Sequence, residues 1–127
     1  MPRYFTPQEA NETLDSVRPL AAEIIRIVAD VQARQPELWP AIQKSVGNGG
    51  SAELSQLYAD FERLHALVHR VQDMGVQIKD LSTGLMDFPA FHEGREVLLC
   101  WRYNESRVEF WHDFESGFAG RQMIDWE

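Results

Sequence analysis

The sequence predicts an α+β fold: a long antiparallel helical hairpin followed by a small antiparallel three-stranded sheet packed on it. Three observations point there. Apolar residues recur at steps of three and four through most of the first 75 residues. Residues 35–50 interrupt that period with Pro36, Pro40 and the run Gly47-Asn48-Gly49-Gly50. From Val76 onward the pattern changes to short apolar runs divided by glycine and polar turns. A chain of 127 residues has the size of one domain, with 1–75 forming the hairpin and 76–127 the β meander and C-terminal loop.

Thr6-Pro7-Gln8-Glu9 opens the first helix with a hydroxyl N-cap, a proline at the first helical position and a glutamate placed to close a capping box. Tyr4 or Phe5 is placed to staple that end. Ala10, Leu14, Val17, Ala21, Ile24, Val28 and Val31 then form a coiled-coil-like seam, with Pro19 expected to bend the helix without ending it. Residues 35–50 read as a connection in which Leu38, Trp39 and Ile42 form a short turn that tucks in. Ser51 is the candidate N-cap of the second helix, whose seam is Leu54, Leu57, Phe61, Leu64, Val68 and Val71. Gly75 ends it, with Val76 placed for the apolar contact of a Schellman cap.

Both helices carry apolar residues beyond their seams: Leu20, Ile25 and Ile27 on the first, Tyr58 and Leu67 on the second. One partner helix cannot cover so wide a face. The strands could cover it, or a second copy completing a four-helix bundle across a two-fold axis. Residues 76–81 read as the first strand, 96–103 as the second and 107–113 as the third, the last two joined at Asn104-Glu105-Ser106. An even-length loop there puts Val97, Leu99, Trp101 and Tyr103 on one face with Val108, Phe110 and His112, leaving Arg102, Arg107, Glu109 and Asp113 opposite. An odd loop mixes the two faces. The even register separates apolar from polar more cleanly and is the one expected.

A net charge of -8 argues against non-specific nucleic-acid binding, which needs clustered Lys and Arg. The N-terminus lacks an apolar signal core and no run is long enough to span a membrane, so a cytoplasmic protein is expected. Cys100 is the one cysteine, which rules out an intrachain disulfide, and in an alternating apolar strand it reads as a core filler.

A meander brings the end of the first strand, the start of the second and the end of the third to one rim. That gathers a candidate polar cluster: Asp80, Asp87, His92, Glu93 and Arg95 from the first strand and its loop, His112 and Asp113 from the third strand, and Arg121 beyond it. Asp80, Asp87 and His112 are the candidate ligands of a divalent metal, with Arg95 or Arg121 placed to hold an anion. Each also has an ordinary role: Asp87 as a turn cap before Phe88-Pro89, His112 as a hydrogen-bonded core histidine, the arginines in ion pairs. A weaker metal set is the stripe His65, His69 and Asp73 on the second helix, which lacks the glutamate of a zincin motif. P-loop, dinucleotide, nucleophile-elbow and CxxC signatures are absent, so no reaction is assigned and enzymatic activity stays open.

The segments RYFTPQEAN, GVQIKD, GLMDFPA, GREVLLCWR, WHD and GFAGRQ, in this order, resemble the bacterial domain-of-unknown-function family 2203. The resemblance spans nearly the whole chain and is weakest between residues 35 and 52. Its motif residues here are Asp80, Gly84, Asp87, Phe88, Pro89, Gly94, Arg95, Trp101, His112, Gly117, Gly120 and Arg121, and it implies no established activity, substrate or cofactor. The function expected is a small cytoplasmic helical-hairpin module that self-associates as a dimer or receives a helical protein partner. The alternative is a metal- or anion-dependent, hydrolase-like site at the sheet end.

Overall fold

The computed structural model describes the backbone of residues 3–48 and 52–127, and their side chains except those of 37–39, 41–48 and 53. Two helices, α1 (Pro7–Asn48) and α2 (Ala52–Asp73), precede strands β1 (Gln77–Asp80), β2 (Leu85–His92), β3 (Arg95–Trp101), β4 (Phe110–His112) and β5 (Gln122–Met123). The strands form one five-stranded antiparallel sheet in sequential order, not the three-stranded sheet expected.

α1 begins as its sequence requires. Thr6 Oγ1 accepts from the Glu9 N–H at 3.1 Å while Glu9 Oε1 accepts from the Thr6 N–H at 2.9 Å, so two orphan donors of the first turn are satisfied reciprocally. The helix then runs on through Pro19, Pro36 and Pro40 to Asn48, which corrects the expected connection at 35–50. An internal proline removes one hydrogen bond, and the helix formers around Pro36 and Pro40, with Gln, Glu, Leu, Ala and Lys among them, carry the remaining turns. Leu38, Trp39 and Ile42 lie on that helix and not on a short turn, while the tucking of their side chains and the N-cap at Ser51 fall outside what is described. α2 stops where glycine is needed: Gly75 has φ 88°, its N–H bonds to the Gln72 carbonyl at 2.9 Å, and a Cβ there would stand 2.7 Å from the Arg3 Cβ.

The core lies between the helices and one face of the sheet. Ala10, Leu14, Val17, Ala21 and Ile24 of α1 and Leu67 and Val71 of α2 join Met86, Phe88, Ala90, Val97, Leu99, Trp101 and Trp111 in one cluster. Each fully buried Leu, Ile, Val or Phe in such a cluster contributes about 1.5–3 kcal/mol. Ion pairs Arg63–Glu23 at 2.8 Å and Arg34–Asp60 also tie α2 to α1. Asn11 clamps α1 to the chain before β4: its amide accepts from the Val108 N–H at 2.8 Å and donates to the Val108 carbonyl at 3.1 Å, as a neighbouring strand would. Arg18 reaches the Glu105 and Ser106 carbonyls and lies over the Trp101 ring, whose indole N–H bonds to the Glu105 carbonyl at 2.9 Å.

Two expectations for the sheet are corrected. The stretch read as a loop between the first two strands is β2, the strand between β1 and β3. Pro89 speaks against a central strand, yet its carbonyl accepts from the Phe5 N–H at 2.7 Å, on the side where β1, paired only with 85–87, does not reach. A residue's nitrogen and carbonyl point to the same side of a strand, so the missing donor costs no ladder bond. The register of β3 on β4 is also not the even one: Leu98 faces His112, Leu99 faces Trp111 and Cys100 faces Phe110. Trp111 goes to the helices, and His112 and Phe110 go to the opposite face with Leu98 and Cys100. Separating apolar from polar residues fails as a guide because that second face is also covered. Leu98 is 5% exposed and Cys100 1% exposed.

Candidate functional site

The covered outer face is where polar chemistry gathers. In the pairing of β2 with β3, Asp87 stands opposite Cys100, one alternation along from Leu98, which β3 pairs with His112. Three side chains of different chemistry therefore point the same way from three adjacent strands. Asp87 and His112 are 2% and 4% exposed. One ligand atom from each of Asp87, Cys100 and His112 lies within 4.8 Å of the others, the one such set of three or more among the described residues.

The segment after β4 makes the cover. Asp113 Oδ1 accepts from the Glu115 and Ser116 N–H groups at 3.0 and 2.7 Å, and these bonds hold its carboxyl below the usual aspartate value. Phe114, Gly117 and Phe118 then line a cavity of about 270 Å³ with Lys79, Leu85, Asp87, Leu98 and His112. Arg121 fixes the far end. Its guanidinium makes two bonds to the Glu105 carboxylate at 2.8 and 3.0 Å and lies over the Phe110 and Phe118 rings, with Nη1 3.9 Å from Cys100 Sγ.

Hydrogen bonding fixes the tautomer of His112. Its Nδ1 lies 2.6 Å from the Asp113 carbonyl, which can only accept, so Nδ1 carries a proton. Nε2 then faces Asp87 Oδ1 at 3.1 Å. Two lone pairs do not attract, so either a proton bridges these atoms or a cation must. Burial, and next the charge of Asp87, push the Cys100 thiol up to about 12. A thiol so raised is not an activated nucleophile at neutral pH.

The other residues expected at this rim have separate duties. Asp80 caps the β1–β2 turn, accepting from the Ser82 N–H and from the Ser82 and Thr83 hydroxyls, and these bonds lower its carboxyl pKa. His92 stacks on Trp126 with ring centroids 3.6 Å apart, and Glu93 is an exposed turn residue with φ 53°. Arg95 lies over Trp111. Of the expected metal set, the structure brings Asp87 and His112 together and leaves Asp80 at its turn. Cys100, read as a core filler, stands in its place, and the β2–β3 pairing together with the odd β3–β4 register reveals that. On α2, His65 and His69 meet edge to face at 4.4 Å on an exposed stripe, and the set within 4.8 Å does not include them or Asp73.

A second feature lies on the helices. The apolar stripe of α1 is buried from Ala10 to Ile27, while Val28 and Val31 are only partly buried. On α2, Leu67 and Val71 are fully buried, Leu54, Leu57 and Leu64 are half-buried, and Phe61 and Tyr58 are 52% and 67% exposed. No helix is long and apolar enough to cross a membrane among the described residues. Neither the curated proteins nor the solved structures give a match to the chain. The model of one family, described as "Uncharacterized conserved protein (DUF2203)", matches residues 3–124. The chain thus belongs to the DUF2203 family, whose model takes in both the helices and the polar cluster of the sheet.

Proposed function

We propose that the chain is a cytoplasmic interaction module whose distal helices form an antiparallel pair that packs on the same pair of a second copy, completing a four-helix bundle across a two-fold axis. One observation carries this reading: the apolar seam of α2 continues outward through Leu64, Phe61, Leu57 and Leu54, while its exposure rises from 0% at Leu67 to 52% at Phe61. At 1.5 Å per residue α1 is about 63 Å long, and its buried stripe ends at Ile27, near the middle. A seam that outruns its cover calls for another helix.

Charge does not oppose a second copy as that partner. Residues 28–68 hold five acids (Asp30, Glu37, Glu53, Asp60, Glu62) and three bases (Arg34, Lys44, Arg63), a net of -2 against -8 for the chain. That is close to this arm's share of the chain's charge, so a second copy meets only modest repulsion there. Light scattering tests the reading. A dimer is expected at tens of micromolar, and Phe61→Glu should return it to monomer with helix content unchanged. A wild-type chain that stays monomeric at high micromolar concentration contradicts it.

A further inference from the structure

We propose that Asp87, Cys100 and His112 form a binding site for one divalent transition metal of the zinc class, with three protein ligands and a fourth position open to the adjacent cavity. The donor set is a thiol, an imidazole and a carboxylate, the mixture that suits zinc better than magnesium or calcium. Spacing agrees with this. Ligands at about 2.0–2.3 Å from a tetrahedral ion stand roughly 3.3–3.8 Å apart. Here Nε2 and Oδ1 are 3.1 Å apart and all three donors fall within 4.8 Å, so shifts of rotamer scale bring them to one ion.

A second observation comes from the far side of the imidazole. Metal-bound histidines commonly give their other N–H to a carbonyl or carboxylate, which fixes the ring and aims its free nitrogen. His112 Nδ1 does this to the Asp113 carbonyl at 2.6 Å, and Nε2 is thereby aimed at Asp87. Charge accounting gives a third. A dipositive ion with a thiolate, a carboxylate and a neutral imidazole sums to zero, and the neighbouring Arg121 is already neutralised by Glu105. A buried cluster so balanced avoids an uncompensated charge. On binding, the Cys100 thiol proton leaves to solvent and the sulfur electron pair bonds the metal. Asp87 and His112, but not Cys100, also line the cavity, so water or a small ligand can reach the fourth position from there.

Cobalt(II) titration of the chelator-treated full-length chain tests the site. One equivalent is expected to bind and to produce a sulfur-to-cobalt absorption band in the near ultraviolet, with zinc displacing it. Cys100→Ser, a one-atom change that keeps the fold, should abolish that band and weaken binding at least about 100-fold, and His112→Gln at least about 10-fold. Zinc should raise the melting temperature of wild type but not of Cys100→Ser. A wild-type chain, folded by circular dichroism, that takes up no cobalt, or that binds it without the sulfur band, overturns the proposal. So does affinity unchanged in Cys100→Ser but lost in His65→Ala, which would place the ion on the exposed histidines of α2.

Discussion

The two halves of this molecule are built on opposite terms. At the sheet, both faces are covered: α1 and α2 lie on one side, and on the other the 113–121 segment, pinned by Arg121, closes over Asp87, Cys100 and His112. Along the distal helices the same kind of apolar seam is present in sequence but is left with one neighbour, and Phe61 and Tyr58 face outward. A seam thus sets where a helix can be buried, and the neighbours available set whether it is.

The comparison can be broken first at Trp101, fully buried between Arg18 and the core. Trp101→Ala should cost about 3–5 kcal/mol in denaturant unfolding, whereas Phe61→Ala in dilute, dissociated protein should cost under about 1 kcal/mol. Equal losses would erase the distinction between the halves. Next in size is Arg121→Ala, which leaves the Glu105 carboxylate partly buried without its partner and should cost about 2–3 kcal/mol. The same change should loosen the cover, seen as faster proteolysis within residues 113–121. Asn11→Ala removes both bonds to Val108 and should cost about 1–3 kcal/mol, because the Val108 N–H and carbonyl lose their partner.

The smallest effect is one of pH. Asp80 has its carboxyl pKa lowered below 3.8 by its bonds to Thr83 and Ser82, so its contribution is fully present above that value and is lost as pH falls through the folded pKa. Asp80→Asn should therefore flatten the acid limb of the stability profile below about pH 4, leaving the variant less stable than wild type by a constant amount from about pH 5 to pH 7 and the two converging as pH falls. A difference that stays undiminished below about pH 2 would show that the Asp80 charge is not what its turn bonds stabilise.

Local chemistry was legible in the sequence. The Thr6–Glu9 capping box and the stop at Gly75 depend on residues within one or two turns, and they stand as expected. The β2 strand was not, because Pro89 speaks against a central strand and only the short reach of β1, remote in the chain, excuses it. The β3–β4 register departs from its sequence pattern for a related reason. Polarity identifies the solvent face only when one face meets solvent, and residues 114–121, distant in sequence from Asp87, cover the other. Cys100 joins Asp87 only once 85–92 is a strand paired with β3, and joins His112 only in the odd β3–β4 register, so neither neighbour is visible from its own segment. Asp80 was grouped with them by strand ends alone, while Ser82 and Thr83, two and three residues on, take up its carboxylate.

Hydrogen exchange at two protein concentrations tests most directly the claim that the sheet half sustains itself and the helical arm relies on a second copy. Amides of β2, β3 and residues 14–27 should show the same high protection at one micromolar and at one hundred, while those of residues 57–65 should gain protection in step with concentration. Protection in residues 57–65 that is equal to the sheet's and indifferent to concentration would contradict it.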